Sequence, residues 1–114
     1  MKLENTKAQM RRGILEMCIL AIIHQEGEAY PSDIISSLKS QNLIVVEGTL
    51  YPLLSRLKKT ELLEYSWKES KAGPPRKYYS LTEKGKDFLA DLYSNWQNLA
   101  KAVTATTKSL SKTQ

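Results

Sequence analysis

Gly48, Thr49, Tyr51, Pro52, Ser55, Arg56 and Lys59 lie along one side of the stretch 46–59, opposite Leu50, Leu53, Leu54 and Leu57. The four leucines recur at i, i+3, i+4 and i+7, which is one apolar face of an α-helix. The other face is slim at its start, able to hydrogen-bond, and basic at its far end. Those groups can recognise a polar or anionic surface, and none of them is arranged to break a bond. Pro52 has no N–H and crowds the preceding turn, so it fits only if the helix begins near Glu47 or Gly48, where amides lack an intrahelical partner anyway. A short helix with a narrow, basic outer face suits insertion into a DNA major groove. An ordinary surface helix with solvated charges would show the same pattern.

Other chemistries find little support. One cysteine (Cys18) and one histidine (His24) cannot form a disulfide framework, a zinc cluster or a Cys–His nucleophile pair within one chain. Paired carboxylates, a nucleophile triad and a phosphate-cradling glycine loop are also missing, so neither an enzyme nor a bound cofactor or metal is expected. Cys18, inside an apolar run, reads as a buried thiol, and His24 as a helix-end residue. The 114 residues suffice for one domain. Their 17 Lys plus Arg against 12 Asp plus Glu, a net +5, permit a polyanionic partner without requiring one. The sequence has no apolar stretch of the ~18 residues that suggest a membrane span, and the apolar run near its start lacks a signal-peptide cleavage site. A reducing, cytoplasmic setting is the expectation.

The supporting elements follow in order. Residues 1–13 are polar and basic, and Ile14 to Ile23 are apolar except Glu16. That run is too evenly apolar for a one-sided surface helix, and so small a monomer has little with which to surround it. Burial by a second subunit is therefore expected. Gly27 breaks this helix. Tyr30-Pro31-Ser32-Asp33 opens the next, with Pro31 at the first helical position; Ile34, Ile35 and Leu38 form its apolar face and Asn42 its end. Leu43, Ile44 and Val45 form a short connector or strand into the leucine helix. Leu62 to Ser70, with Leu63, Tyr65 and Trp67 alternating against polar residues, reads as a half-buried strand. Lys71 to Pro75 reads as a turn, and Arg76 to Leu81 as the returning strand. A helix-turn-helix followed by one basic hairpin is a winged helix. The expected class is mainly α (α+β): a winged helix-turn-helix over 1–81, and over 82–114 a long carboxy-terminal dimerisation helix, capped by Thr82 and helical to about Thr107, with a tail that frays from about Thr104. Leu89, Leu92, Trp96, Leu99 and Val103 form its seam, which calls for a facing helix. That helix is either a partner's or the first helix of the same chain.

The sequence resembles the PadR family of transcriptional regulators, in the short form with a single carboxy-terminal helix. Four stretches carry the likeness: the apolar helix leading through Gly27 to Tyr30-Pro31-Ser32-Asp33-Ile34; Glu47-Gly48-Thr49-Leu50-Tyr51-Pro52-Leu53-Leu54-Ser55-Arg56-Leu57; Gly73-Pro74-Pro75-Arg76-Lys77-Tyr78-Tyr79; and Leu81-Thr82-Glu83-Lys84-Gly85. Pro31 and Ser32 depart from the family's usual glycine and aromatic residue. The resemblance implies a homodimeric repressor on a roughly palindromic DNA operator, released by a small molecule. It places Gly48, Thr49, Tyr51, Pro52, Ser55 and Arg56 at or near the groove. Arg56 and Lys59 would meet phosphate, or Arg56 a guanine edge, while Arg76 and Lys77 hold the wing to the backbone.

The resemblance also implies that Trp96 can capture a planar aromatic effector at the dimer centre, with Met17, Cys18 and Tyr93 beside it. Plain interface packing accounts for Trp96 equally. Tyr51 could instead pack between helix and wing, and Arg76 and Lys77 could be solvated charges. A winged-helix protein-interaction module without DNA readout is the alternative of a different class.

Overall fold

In the computed structural model, which describes residues 2–111, the chain forms α1 (Leu3–Glu26), α2 (Pro31–Ser40), α3 (Glu47–Lys59), β1 (Leu63–Ser70), β2 (Gly73–Leu81), α4 (Glu83–Thr106) and a final turn, α5 (Lys108–Ser111). The architecture is a winged helix-turn-helix followed by a long helix. Its core joins Ile19, Leu20 and Ile23 of α1 to Ile34 and Leu38 of α2, Leu50, Leu54 and Leu57 of α3, and Leu63, Tyr79 and Leu81 of the hairpin. The leucine spacing read from the sequence therefore sets which side of α3 faces inward. Fully burying each such side chain contributes about 1.5–3 kcal/mol.

The starts of α1, α2 and α3 carry no side-chain cap, and backbone geometry sets their ends. Gly27, at φ 83°, ends α1 and donates its N–H to the His24 carbonyl. Pro31 is buried at the first turn of α2, where its missing N–H costs nothing. Asn42 (φ 63°) and Glu61 (φ 64°) are left-handed after α2 and α3. In each case the next residue, Leu43 or Leu62, donates back to the Leu38 or Leu57 carbonyl, closing a Schellman turn. Residues 43–46 form a connector and not a strand, with Val45 buried and Ile44 exposed. Pro52 sits one turn deeper in α3 than the free-amide positions, so the Gly48 carbonyl has no N–H to accept from position 52. Both residues are on the exposed side, where water can satisfy that oxygen.

β1 and β2 pair antiparallel, with Leu63 opposite Leu81, Tyr65 opposite Tyr79 and Lys68 opposite Arg76. The turn is tighter than the sequence suggests, since Gly73, Pro74 and Pro75 belong to β2. The register slips between Lys68 and Ser70, leaving the two prolines opposite Glu69, and such a bulge tolerates residues that cannot donate. Ala29 adds a one-rung third strand, exchanging two 2.9 Å hydrogen bonds with Tyr79. β1 is not half-buried, because Leu63 alone reaches the core and Tyr65 and Trp67 are exposed.

α4 starts at a tight joint. The Thr82 hydroxyl donates to the Glu61 carbonyl at 2.6 Å and accepts from the Gly85 N–H at 2.9 Å. Gly85 is pressed against the backbone of Leu62, where a Cβ would stand 2.1 Å from the carbonyl oxygen. The long helix ends close to Thr107, where the sequence places its end. α4 continues past Thr104 to Thr106, and the Thr106 and Thr107 hydroxyls donate to the carbonyls of Ala102 and Val103. The expected tail also includes 112–114, which lie outside the described residues.

Replacing Gly85 by Ala is expected to destabilise the chain by about 1–3 kcal/mol, because backbone and not a flexible side chain must move. Urea unfolding measures this, and an unchanged midpoint would show that the joint has slack.

Candidate nucleic-acid interface

Burying Leu50, Leu54 and Leu57 turns Gly48, Thr49, Tyr51, Pro52, Ser55, Arg56 and Lys59 outward, and all seven are exposed. Gly48, Pro52, Ser55 and Lys59 run along the crest of α3. Thr49 and Arg56 flank it on the α1 side, where an Arg56 Nη donates to a Glu16 carboxylate oxygen at 2.6 Å. On the other flank Lys58 approaches the Tyr65 ring of β1 at 5.7 Å. A Cβ built on Gly48 meets no described atom of the chain within 4 Å. The fold itself therefore does not require glycine there.

Tyr51 lies between α3 and the wing. Its hydroxyl is shifted to higher pKa, first by partial burial and then by the nearby Glu47 and Tyr30. It remains a protonated donor at neutral pH. Tyr79 is shifted the same way, by burial and then by Tyr65 and Tyr51. Tyr51 is 45% exposed.

Successive strand residues leave from opposite faces, and the hairpin divides its cations accordingly. Lys77 stands over the rings of Tyr65 (4.3 Å) and Trp67 (5.3 Å) on the face shared with the core. Arg76 lies on the outer face, 4.6 Å from the Tyr30 ring. Lys68 is close to Tyr78 and pairs with Glu28. Tyr78 and Tyr79 divide as successive residues should, one half-buried and outward, the other in the core. Lys68, Arg76 and Lys77 thus each lie close to an aromatic ring, while Lys68 and Arg76 stay exposed to solvent.

Sequence reasoning missed Glu16, Tyr30 and Lys58. Glu16 had a visible signal, being the one charge in the apolar run 14–23, but its partner lies forty positions away. With side chains 57% and 23% exposed, the Glu16–Arg56 pair contributes at most about 1 kcal/mol to stability.

A second region lies on the far side of α1. Met17, Cys18, Tyr93 and Trp96 line one trough of about 680 Å³ between α1 and α4, together with Leu89. It adjoins another of about 690 Å³ lined by Met10, Gly13, Leu92, Leu99 and Val103, with Met17 and Trp96 shared. Trp96, Leu99 and Val103 are exposed although apolar, and among the described residues of α4 only Gly85 is buried. α4 does pack on α1 of its own chain, as one reading of the seam required, but a large part of that seam stays uncovered. Burial raises the Cys18 thiol above its usual range, which keeps it protonated and unreactive at neutral pH. Among the described residues no group of side chains could hold a metal ion, and no helix is long and apolar enough to cross a membrane.

This arrangement, a bare helix of a helix-turn-helix beside a cationic hairpin, defines a winged-helix DNA-binding regulator. Residues 19–91 match the model of the PadR-like family of transcriptional regulators. A PadR-like transcription factor from Bacteroides fragilis is 57% identical, with 90% of this chain and 98% of that one covered and a TM-score of 0.75. A PadR family regulator from Eggerthella lenta is 30% identical over 91% of this chain and 90% of its own, with a TM-score of 0.81. A PadR-like regulator from Bacillus cereus is 40% identical, covering 86% and 95%, at a TM-score of 0.76. An uncharacterised protein of Lysinibacillus sphaericus is 31% identical over 85% of this chain and 91% of its own length. The chain belongs to the PadR-like family, whose members are transcriptional regulators and not enzymes.

Proposed function

We propose that this DNA-binding regulator is a homodimeric repressor that grips a roughly palindromic operator and lets go when a planar aromatic molecule enters the α1–α4 trough. The observation that carries the reading is the uncovered crest of α3. Gly48, Thr49, Tyr51, Pro52 and Ser55 enter the major groove. Arg56 and Lys59 meet phosphate or, for Arg56, a guanine edge, a bidentate contact that discriminates by about 1–3 kcal/mol. Arg76 and Lys77 fasten the wing to the backbone and fix register more than sequence. The open space at Gly48 supports this, because a missing Cβ that no part of the chain fills leaves room for a groove wall.

Dimerisation joins the α1 and α4 faces of two chains through Leu89, Leu92, Trp96, Leu99 and Val103. A single chain leaves Trp96, Leu99 and Val103 exposed and Leu89 and Leu92 only partly covered, and a contiguous apolar strip of this kind marks a surface that meets another protein. Two recognition helices must stand about 34–36 Å apart to read successive major grooves. A guest wedged beside Trp96 and Tyr93, with Met17 and Cys18 beneath, would change that spacing. The aromatic and sulfur lining supports a flat apolar or cationic guest.

Gly48→Ala tests the groove contact. The variant is expected to be as stable as the wild type, or up to about 1 kcal/mol more stable, while operator affinity falls tenfold or more. Undiminished affinity would remove α3 from close contact. Titration with planar cationic dyes tests the trough: quenching of indole fluorescence is expected to exceed that of a Trp96→Phe variant, which retains Trp67 alone. Equal quenching of the two proteins would contradict the effector site.

A further inference from the structure

We infer that Glu16 is a specificity-determining residue, acting through Arg56 and not by touching DNA, an inference that rests on the DNA-binding role of α3 proposed above. Glu16 projects from α1 to the flank of α3 and holds Arg56 through one Nη only, at 2.6 Å. A guanidinium has five N–H donors in a rigid fork, and the Arg56 side chain remains 57% exposed. Arg56 can therefore keep Glu16 and offer its other edge to a base.

Two consequences follow for binding. The carboxylate fixes the direction of a long side chain that otherwise loses rotamer freedom on binding. It also offsets the positive charge, so a phosphate that would draw Arg56 aside must compete with an anion already seated. A tethered, half-neutralised arginine favours a correctly placed guanine edge over a phosphate of arbitrary sequence. Glu16 thus weakens indiscriminate binding more than operator binding. The same stretch of α1 carries Met17 and Cys18 on the trough side, so a movement of α1 reaches Arg56 without an intermediary.

The test compares wild type, Glu16→Gln, Arg56→Ala and the double variant on two duplexes across a salt series. One duplex is selected by the wild type from a randomised pool, and the other is its scrambled counterpart. Glu16→Gln is expected to tighten binding to the scrambled duplex about threefold. Its slope of log affinity against log salt should steepen by about 0.9, one additional phosphate contact. Operator affinity should rise less, so discrimination narrows. In the Arg56→Ala background the same change should have no effect. Discrimination and slope unchanged in Glu16→Gln would overturn the inference, as would a lowered melting temperature with no change in slope, the mark of a purely structural ion pair. A selection in which the wild type retains and enriches no duplex from the pool, even at low salt, would instead sink the DNA-binding role of α3.

Discussion

α4 runs from Glu83 to Thr106, yet its own chain buries little of it. Its apolar side chains beyond Leu89 lie over α1 without being enclosed, and the first half of α1 is equally bare, with Leu3 and Met10 exposed. Gly13 stands in the middle of α1 with nothing within 4 Å of where its Cβ would be. A glycine inside a helix costs about 0.5–1 kcal/mol relative to alanine, a cost easier to understand if another surface comes close there. On the reading proposed here, that surface belongs to a second copy. On that reading operator recognition depends on this association, because it sets the spacing at which two recognition helices meet successive half-sites.

The joint at Thr82 and Gly85 links that helix to the reading head. α4 is seated on the turn after α3 through the Leu62 backbone, with no side chain between. The Glu61 carbonyl that receives the Thr82 hydroxyl belongs to the left-handed residue ending the α3 turn. The joint thus ties α4 to the turn that follows the carboxy-terminal end of α3, the end that carries Arg56 and Lys59. The amino-terminal end is held separately, through Leu50 in the core. A guest between α1 and α4 would act on the more charged end of the recognition helix.

Local periodicity made much of this legible. The leucines of α3 specified its buried face and hence its exposed one, and the paired tyrosines 78 and 79 divided as strand geometry requires. Met17, Cys18 and Tyr93, which the family resemblance and not periodicity grouped with Trp96, line one trough with it. Errors arose where tertiary context outweighed local pattern. Pro74 and Pro75 looked like turn residues, but a bulge accommodates them inside β2. Tyr65 and Trp67 alternate as buried residues would, yet the core stops at Leu63 and they project past its edge. The contact of Glu16 with Arg56, and of Gly85 with Leu62, joins positions no window on the sequence connects.

Sedimentation of the full chain at micromolar concentration, without DNA or effector, tests the shared α1–α4 interface most directly. A single species at twice the 13.0 kDa chain mass is expected. A folded species at the mass of one chain would contradict it, leaving the apolar strip on α1 and α4 to be explained by something other than a second copy.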